Sequence, residues 1–349
     1  MAIYLTNDEV RQVLDMPRCI EVFHAALQEL AAGRATSEPR SHGYLSDPDG
    51  RMFRMKLFHG GATALGAYAL RVVTDFLEPR TVAGMSRRDQ RRRFNKILVF
   101  SLETGDLIGI VEDDYLQRLR VGAESAVVAR KLARPDAGVL GLIGTGRQAR
   151  TQLMGLAEVC ALREVRVYSP TPENRRAFAA EMTGQIGVPV TAVEAAQDAV
   201  RGADIVVAAT NSSEPVLRGA WLEPGMHVIS IVNSDKHLPR REVDDEVMRR
   251  SNPIVISSRE QVANDEPADL FDPLRAGVIS WDQLVPMVEL FGPDQAGRQS
   301  DDQITMHKNN GMSIQFVAAA ASALSSARDL GLGRELPGLL FASGREGEP

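Results

Sequence analysis

The sequence runs to 349 residues, more than one hydrophobic core ordinarily fills, so two domains are expected. Hydrophobic residues at 44%, charged residues at 25% and a net charge of −6 describe an ordinary globular chain and argue against a general nucleic-acid binder. No apolar run reaches the roughly 18 residues of a membrane span, the opening MAIYLTNDEVRQVLD lacks the basic and apolar regions of a signal peptide, and the widely spaced Cys19 and Cys160 fit a reducing cytoplasm.

In chain order, Thr6-Asn7-Asp8-Glu9 reads as a capping box that opens a short helix. A second helix starts at Pro17, turns Ile20, Phe23, Ala26, Leu27 and Leu30 to one side, and is ended by Gly33. From Arg40 to Val111 the period shortens. MFRMKLF, GAYALRVVTDF and KILVFSL are the clearest strands, and ETGD at 103–106 reads as a hairpin turn. This front segment predicts a mostly antiparallel sheet with one or two helices. SRRDQRRRF at 86–94 packs five arginines into a short stretch; without interleaved aromatics it reads as a solvated hairpin loop, not a phosphate or nucleic-acid patch.

From residue 114 the period becomes helical, with Leu116, Leu119, Ala123, Val127 and Leu132 on one side and Pro135 as the stop. The runs VLGLI, EVRVYS, ADIVVAAT, HVISIV and IVISS then alternate with helical stretches, which predicts a doubly wound parallel sheet. GMSIQFVAAAASALSSARDLG is a late helix. The tail after it is expected to pack partly on the front domain and then fray.

Gly144-Thr145-Gly146-Arg147-Gln148-Ala149 follows the strand VLGLI and opens a helix. Gly144 suits a tight turn, Gly146 lets backbone N–H groups approach a pyrophosphate, and Ala149 lets the helix pack close to the strand. Dinucleotide binding is therefore expected. An NAD-selecting fold puts an acid at the end of the second strand, but here EVRVYS ends at Ser169, followed by Thr171, Arg175 and Arg176. Hydroxyls and guanidinium groups favour the 2′-phosphate of NADP(H), with NAD(H) as the second choice. At the carboxyl edge of such a sheet ADIVVAAT delivers Thr210 and Asn211. HVISIV delivers Asn233, Ser234 and Asp235, with His237 close behind. Asp235 is the best candidate for a carboxylate beside the nicotinamide.

LQRLRVGAESAVVARKLARPDAGVLGLIGTGRQA, then GADIVVAAT, WLEPGMHV and GRQSDDQITMHKNNG, together resemble the ornithine cyclodeaminase/mu-crystallin family, and the likeness extends over nearly the whole chain. The resemblance implies an NAD(P)-dependent homodimer acting on a small imino or amino acid. It also implies an α/β architecture in which a Rossmann domain, residues 121–328, is inserted into an α+β substrate and dimerisation domain, residues 1–120 plus 329–349. On the same grounds Arg40 and Arg120 would hold the substrate carboxylate, Asp235 would be catalytic and Asn310 would lie near the cofactor. A planar guanidinium suits that carboxylate.

Three departures accompany the likeness. Arg71 stands where the family has a lysine, and a guanidinium does not shuttle protons; it can serve as a carboxylate clamp. Lys56 and His59 are the nearby substitutes. Val121 replaces a common threonine, and NSDKHLPRRE is one residue longer than usual around Asp235. Reduction of an α-imino acid, or the reverse amino-acid dehydrogenation, is the leading expectation. The alternatives are a cyclodeaminase that recycles its NAD and a non-catalytic binder of NADP(H) or a small ligand.

Overall fold

The computed structural model describes residues 2–48, 50–77, 88–293 and 297–337. It forms two compact units. The first holds the N-terminal region through Gln117 and resumes at Met312, and the main body of the second runs from Arg118 to Gly311.

The first unit opens with β1 (Ile3–Leu5) and α1 (Asn7–Val13). The expected capping box is present: the Thr6 hydroxyl accepts the Glu9 N–H, and the Glu9 carboxylate accepts the Thr6 N–H at 2.8 Å. In α2 (Met16–Ala31), Cys19, Ile20, Phe23, Ala26 and Leu27 are buried, and Gly33 just beyond takes a left-handed φ of 72°. The strands are β2 (Ala35–Ser37), β3 (Ser41–Ser46), β4 (Met52–Ala62), β5 (Ala67–Leu77), β6 (Arg88–Ser101) and β7 (Leu107–Glu112). In the sheet β4, β5, β6 and β7 are successive antiparallel neighbours, and β1 adds in parallel to β7. The ETGD turn closes β6 onto β7, with the Ser101 N–H donating to the Asp106 carbonyl at 2.9 Å. The arginine-rich run differs from its reading as a loop. From Arg88 it is strand, paired with the end of β5, because backbone pairing tolerates charged side chains; Ser86 and Arg87 lie outside the described residues.

Helix α3 (Tyr115–Leu132) leads into the second unit, with Leu116, Leu119, Ala123, Val127 and Leu132 all buried. There follow β8 (Val139–Ile143), α4 (Arg147–Val159), β9 (Glu164–Tyr168), α5 (Pro172–Ile186), β10 (Val190–Ala192), α6 (Ala196–Val200), β11 (Ile205–Ala208) and β12 (His227–Ser230). Next come α7 (Asp245–Arg250), β13 (Ser251–Ile256), α8 (Arg259–Asp265), α9 (Ala268–Arg275), β14 (Leu284–Pro286) and β15 (Ile304–Lys308). The eight strands pair in the order β10-β9-β8-β11-β12-β15-β13-β14, all parallel. Alternate residues feed two cores. Leu140, Leu142, Ile205, Val207 and Ile229 face α4 and α5, whereas Val206 and Val228 pack with Val247, Val262 and Leu270 of α7, α8 and α9. This is the Rossmann-type, doubly wound sheet, and its strand order reverses between β8 and β11. Strand β15, inserted between β12 and β13, is an addition to the strands expected from the sequence.

The chain then returns to the first unit through α10 (Ser313–Asp329), and β16 (Arg334–Glu335) pairs antiparallel with β1. The tail from residue 338 lies outside the described residues. Helix α10 corrects the domain boundary expected at 328/329: its buried Phe316, Ala319, Ala320 and Ala323 belong with the first unit, where Phe316 meets Phe58 of β4 at 5.3 Å between ring centroids. Arg120 falls in the second unit rather than the first. Among the described residues no helix is long and apolar enough to cross a membrane.

Candidate active site

In the second unit the glycine loop sits where the strand order reverses. Gly144 has φ 115°, and a Cβ there would lie 2.3 Å from the Ala209 carbonyl oxygen just beyond β11. Only glycine permits both that backbone and that approach. The Gly144 N–H donates to the Tyr168 carbonyl at 2.8 Å, holding the loop beside the end of β9. Gly146 caps α4 with no side-chain hydrogen bond, and a Cβ built on it would meet nothing within 4 Å. The first-turn N–H groups of this 13-residue helix therefore have no N-cap side chain to accept from them, at the end where the helix dipole is positive. Thr145 and Gln148 are partly exposed, Arg147 is exposed, and Ala149 is fully buried against the sheet. These residues fit a pyrophosphate: the backbone donors are uncapped and the space before them is clear.

Ser169 follows directly on β9 and is buried; Thr171 and Arg176 are exposed. Arg175 does not stand free for a phosphate. It is 4% exposed, donates to the Ser169 carbonyl at 3.0 Å, and pairs with the Glu194 carboxylate.

At the carboxyl edge of β11, β12 and β15 lies a buried polar network that sequence reasoning does not disclose. The Glu242 carboxylate accepts the Thr210 N–H (2.5 Å) and hydroxyl (2.9 Å), the Ile231 and Val232 N–H groups (2.9 and 2.8 Å) and the Ser230 hydroxyl (3.0 Å). Burial pushes its carboxyl up from the usual range, against the pull of the Lys308 charge. The Lys308 ammonium donates to Asp269 at 2.8 Å, to Ser230 at 3.0 Å and to the Val232 carbonyl at 3.1 Å. Thr210 is thus tied to a loop anchor, while Asn211 beside it is exposed. The signal in the sequence is a lysine closing the short strand ITMHK, all five residues of which are buried.

Asp235 is fully buried, and its Oδ1 accepts the N–H groups of His237 (3.1 Å) and Leu238 (3.0 Å). The carboxylate expected beside the nicotinamide is therefore engaged in forming its own turn. Asn233 and His237 are exposed, and the Ser234 hydroxyl accepts the Arg240 and Ala268 N–H groups.

Arg120 is 9% exposed, with Glu124 one turn on at 3.8 Å. Gly311 has φ 76°, and a Cβ there would lie 2.4 Å from Arg120 Nη1, so the KNNG turn gives the guanidinium its room. Asn310 is partly exposed. The neighbouring Asn309 is the anchor, donating to the Val121 carbonyl and the Ser125 hydroxyl, both at 2.9 Å. Val121, in place of the usual threonine, is buried and contributes through its backbone.

In the first unit one sheet face gathers cations. Strand alternation places Arg54, Lys56 and Phe58 of β4 on the same face as Arg71 and Asp75 of β5, and all five are buried. Arg54 meets Asp75 bidentately at 2.9 and 3.0 Å. Arg71 donates to Asp113 and, at 3.1 Å, to Asn95, with its guanidinium carbon 4.7 Å from the Phe58 ring centroid and 4.3 Å from that of Phe316. Arg40 is 6% exposed and approaches the other side of this group, 5.8 Å from the Phe58 centroid. The structure therefore brings Arg40, Lys56 and Arg71 together. It separates His59, which alternates to the opposite face and bonds the Tyr68 hydroxyl at 2.8 Å.

The sequence profile of the ornithine cyclodeaminase/mu-crystallin family matches residues 2–329. Among curated proteins, a Δ(1)-pyrroline-2-carboxylate reductase of Bacillus cereus is 28% identical over 336 residues, 96% of this chain and 99% of that protein. Among solved structures, the Thermococcus litoralis Δ(1)-pyrroline-2-carboxylate reductase in complex with NADH and L-proline superposes with a TM-score of 0.84 at 28% identity, covering 96% of this chain and 100% of that one. An archaeal alanine dehydrogenase dimer with bound NAD gives 0.83 at 25% identity, covering 96% and 99%.

Proposed function

The chain belongs to the ornithine cyclodeaminase/mu-crystallin family, and on that premise we propose that it reduces a small α-imino acid to the amino acid, or runs the reverse dehydrogenation, with a nicotinamide dinucleotide. The observation that carries this reading is the cationic sheet face of Arg40, Lys56 and Arg71 in a chain that also carries an uncapped, open glycine-loop helix. Guanidinium groups grip a carboxylate with fixed geometry, which orients the adjacent C=N bond and lowers the entropic barrier to reaction.

The roles divide by unit. Gly144, Thr145, Gly146, Arg147, Gln148 and Ala149 shape the pyrophosphate seat, and Thr210, Asn211 and Asn310 lie at the carboxyl edge for the nicotinamide end. When bound, the nicotinamide supplies the hydride that the imine carbon accepts. Arg40 and Arg71 are the carboxylate-holding groups of the first unit and Arg120 that of the second, and such charge draws electron density from the imine toward the carboxylate end. Reduction also needs a proton at nitrogen. Arg71 is unsuited to give one, and Lys56, on the same face, is the donor. Asp235 contributes by fixing the turn at the sheet edge.

Arg71 also favours reduction over cyclodeamination. A guanidinium locked to Asp113 and packed against the adjoining rings of Phe58 and Phe316 serves as a fixed clamp, not a proton relay. A cytoplasmic homodimer is the accompanying proposal, supported by two cysteines that form no disulfide and by the dimeric archaeal relative. The test is consumption of NADH and of NADPH, followed by near-ultraviolet absorbance, with a panel of cyclic and acyclic imino acids that includes Δ(1)-pyrroline-2-carboxylate. Turnover with at least one supports the reading. Ammonia release from a diamino acid without net cofactor consumption would replace it with cyclodeamination.

A further inference from the structure

We propose that Glu194 is the residue that selects between NADH and NADPH, supplying from the strand next door the carboxylate that the end of β9 lacks. The inference rests on the reading of the glycine loop as a dinucleotide seat.

The geometry comes from the parallel pairing of β9 and β10. Val190, Thr191 and Ala192 stand opposite Val165, Arg166 and Val167, and the Val193 N–H still donates to the Val167 carbonyl at 3.0 Å. Continuing that register sets Glu194 beside Ser169, the position where an NAD-selecting acid would stand. Arg175 spans the two: one Nη donates to the Ser169 carbonyl and the other meets the Glu194 carboxylate. The pair is asymmetric, with the Arg175 side chain 4% exposed and that of Glu194 75% exposed. The cation is built into the fold, while the anion projects into solvent at the strand ends, next to the loop that Gly144 ties to Tyr168.

Two consequences follow. A ribose 2′-hydroxyl arriving there meets an exposed carboxylate able to accept its hydrogen bond, whereas a 2′-phosphate meets like charge. The guanidinium edge that now holds Glu194 is also the edge that would receive a phosphate if the carboxylate were absent. The arginine that favours NADP(H) in the sequence is thus masked by Glu194, and the native chain prefers NADH.

The experiment is calorimetric titration of NADH and of NADPH into the wild-type protein, Glu194→Gln, Glu194→Lys and the double variant Glu194→Gln/Arg175→Met, with thermal melts to verify folding. Position 194 is itself exposed, but each single variant removes the partner of the buried Arg175, so the melts are read beside the titrations. Wild type binds NADH more tightly. Glu194→Gln moves the affinity ratio about tenfold toward NADPH, the size expected of one additional charge-assisted hydrogen bond. Glu194→Lys moves it further, and the double variant reverses the shift. If both nucleotides bind but wild type prefers NADPH, or Glu194→Gln leaves the ratio unchanged, the selector role is wrong and the dinucleotide seat stands. If wild type binds neither, the seat itself is wrong and the selector falls with it.

Discussion

Replacing Gly146 with aspartate should strengthen the fold while destroying nucleotide binding. Gly146 occupies the N-cap of α4 with φ −78°, a conformation any residue adopts, and a Cβ there meets nothing within 4 Å. Aspartate is a favoured N-cap and its charge suits the helix dipole, together contributing about 0.5–1 kcal/mol. In a unit of this size that raises Tm by roughly 1–3 °C. The same carboxylate would stand about 4 Å from a bound pyrophosphate, where like charges repel by about 4 kcal/mol near a protein surface. With solvent screening, NADH affinity falls at least about a hundredfold. Calorimetric titration and thermal melts of the nucleotide-free protein read both effects. Affinity within about threefold of wild type would refute the assignment of this loop, whatever the melt shows. Gly144→Ala is the counterpart: its φ of 115° and the 2.3 Å approach to the Ala209 carbonyl make it destabilising in the absence of any ligand.

Three further outcomes are expected. Arg71→Met leaves Asp113 buried without its guanidinium and costs about 3 kcal/mol in urea denaturation; Arg71→Met/Asp113→Leu should recover part of that, and strict additivity of the two single changes would contradict the pairing. Glu112 accepts from the Tyr4 hydroxyl, the Asn7 N–H and the Lys96 ammonium. Burial alone would raise its carboxyl, but Lys96, Tyr4 and Asn7 hold it at about 2. The folded value lies below the unfolded one, so this stabilisation is complete above the unfolded carboxyl range near 4.3 and is lost as pH falls toward 2, about 3 kcal/mol before solvent screening and about 2 kcal/mol after it. Glu112→Gln should flatten that part of the stability–pH curve, and an unchanged slope would remove Glu112 as its source. Arg120→Met should lower kcat/KM for the imino acid about a hundredfold with little effect on NADH affinity, the signature of a lost carboxylate contact; intact turnover would take Arg120 out of the site.

The period and turn chemistry of the sequence disclose those parts that depend on local rules. The Thr6–Glu9 cap, the alternation in MFRMKLF and the spacing of Gly144, Gly146 and Ala149 each depend on neighbours a few residues away, and each is found. What escapes depends on partners far along the chain. Lys308 meets Asp269 and Ser230 only because β15 inserts beside β12, and a five-residue buried strand carries no mark of its neighbour. The same blindness hides Glu242, whose five hydrogen bonds join segments from Thr210 to Val232. Arg175 is legible as a cation at the right strand end, but its partner Glu194 belongs to the next strand, and pairing register is not written in composition. Helix α10 is legible as a helix but not as a member of the first unit, since an alanine-rich face packs equally well on either kind of sheet.

In the proposed reaction hydride passes from a nicotinamide to the carbon of a carboxylate-bearing imine. NADH carrying deuterium at the transferable C4 position tests it directly, with the amino-acid product of Δ(1)-pyrroline-2-carboxylate or another accepted imino acid read by mass spectrometry. One deuterium is expected at the α-carbon, in step with cofactor oxidation. Product formed without the label, or cofactor bound but never oxidised by any imino acid in the panel, would contradict it.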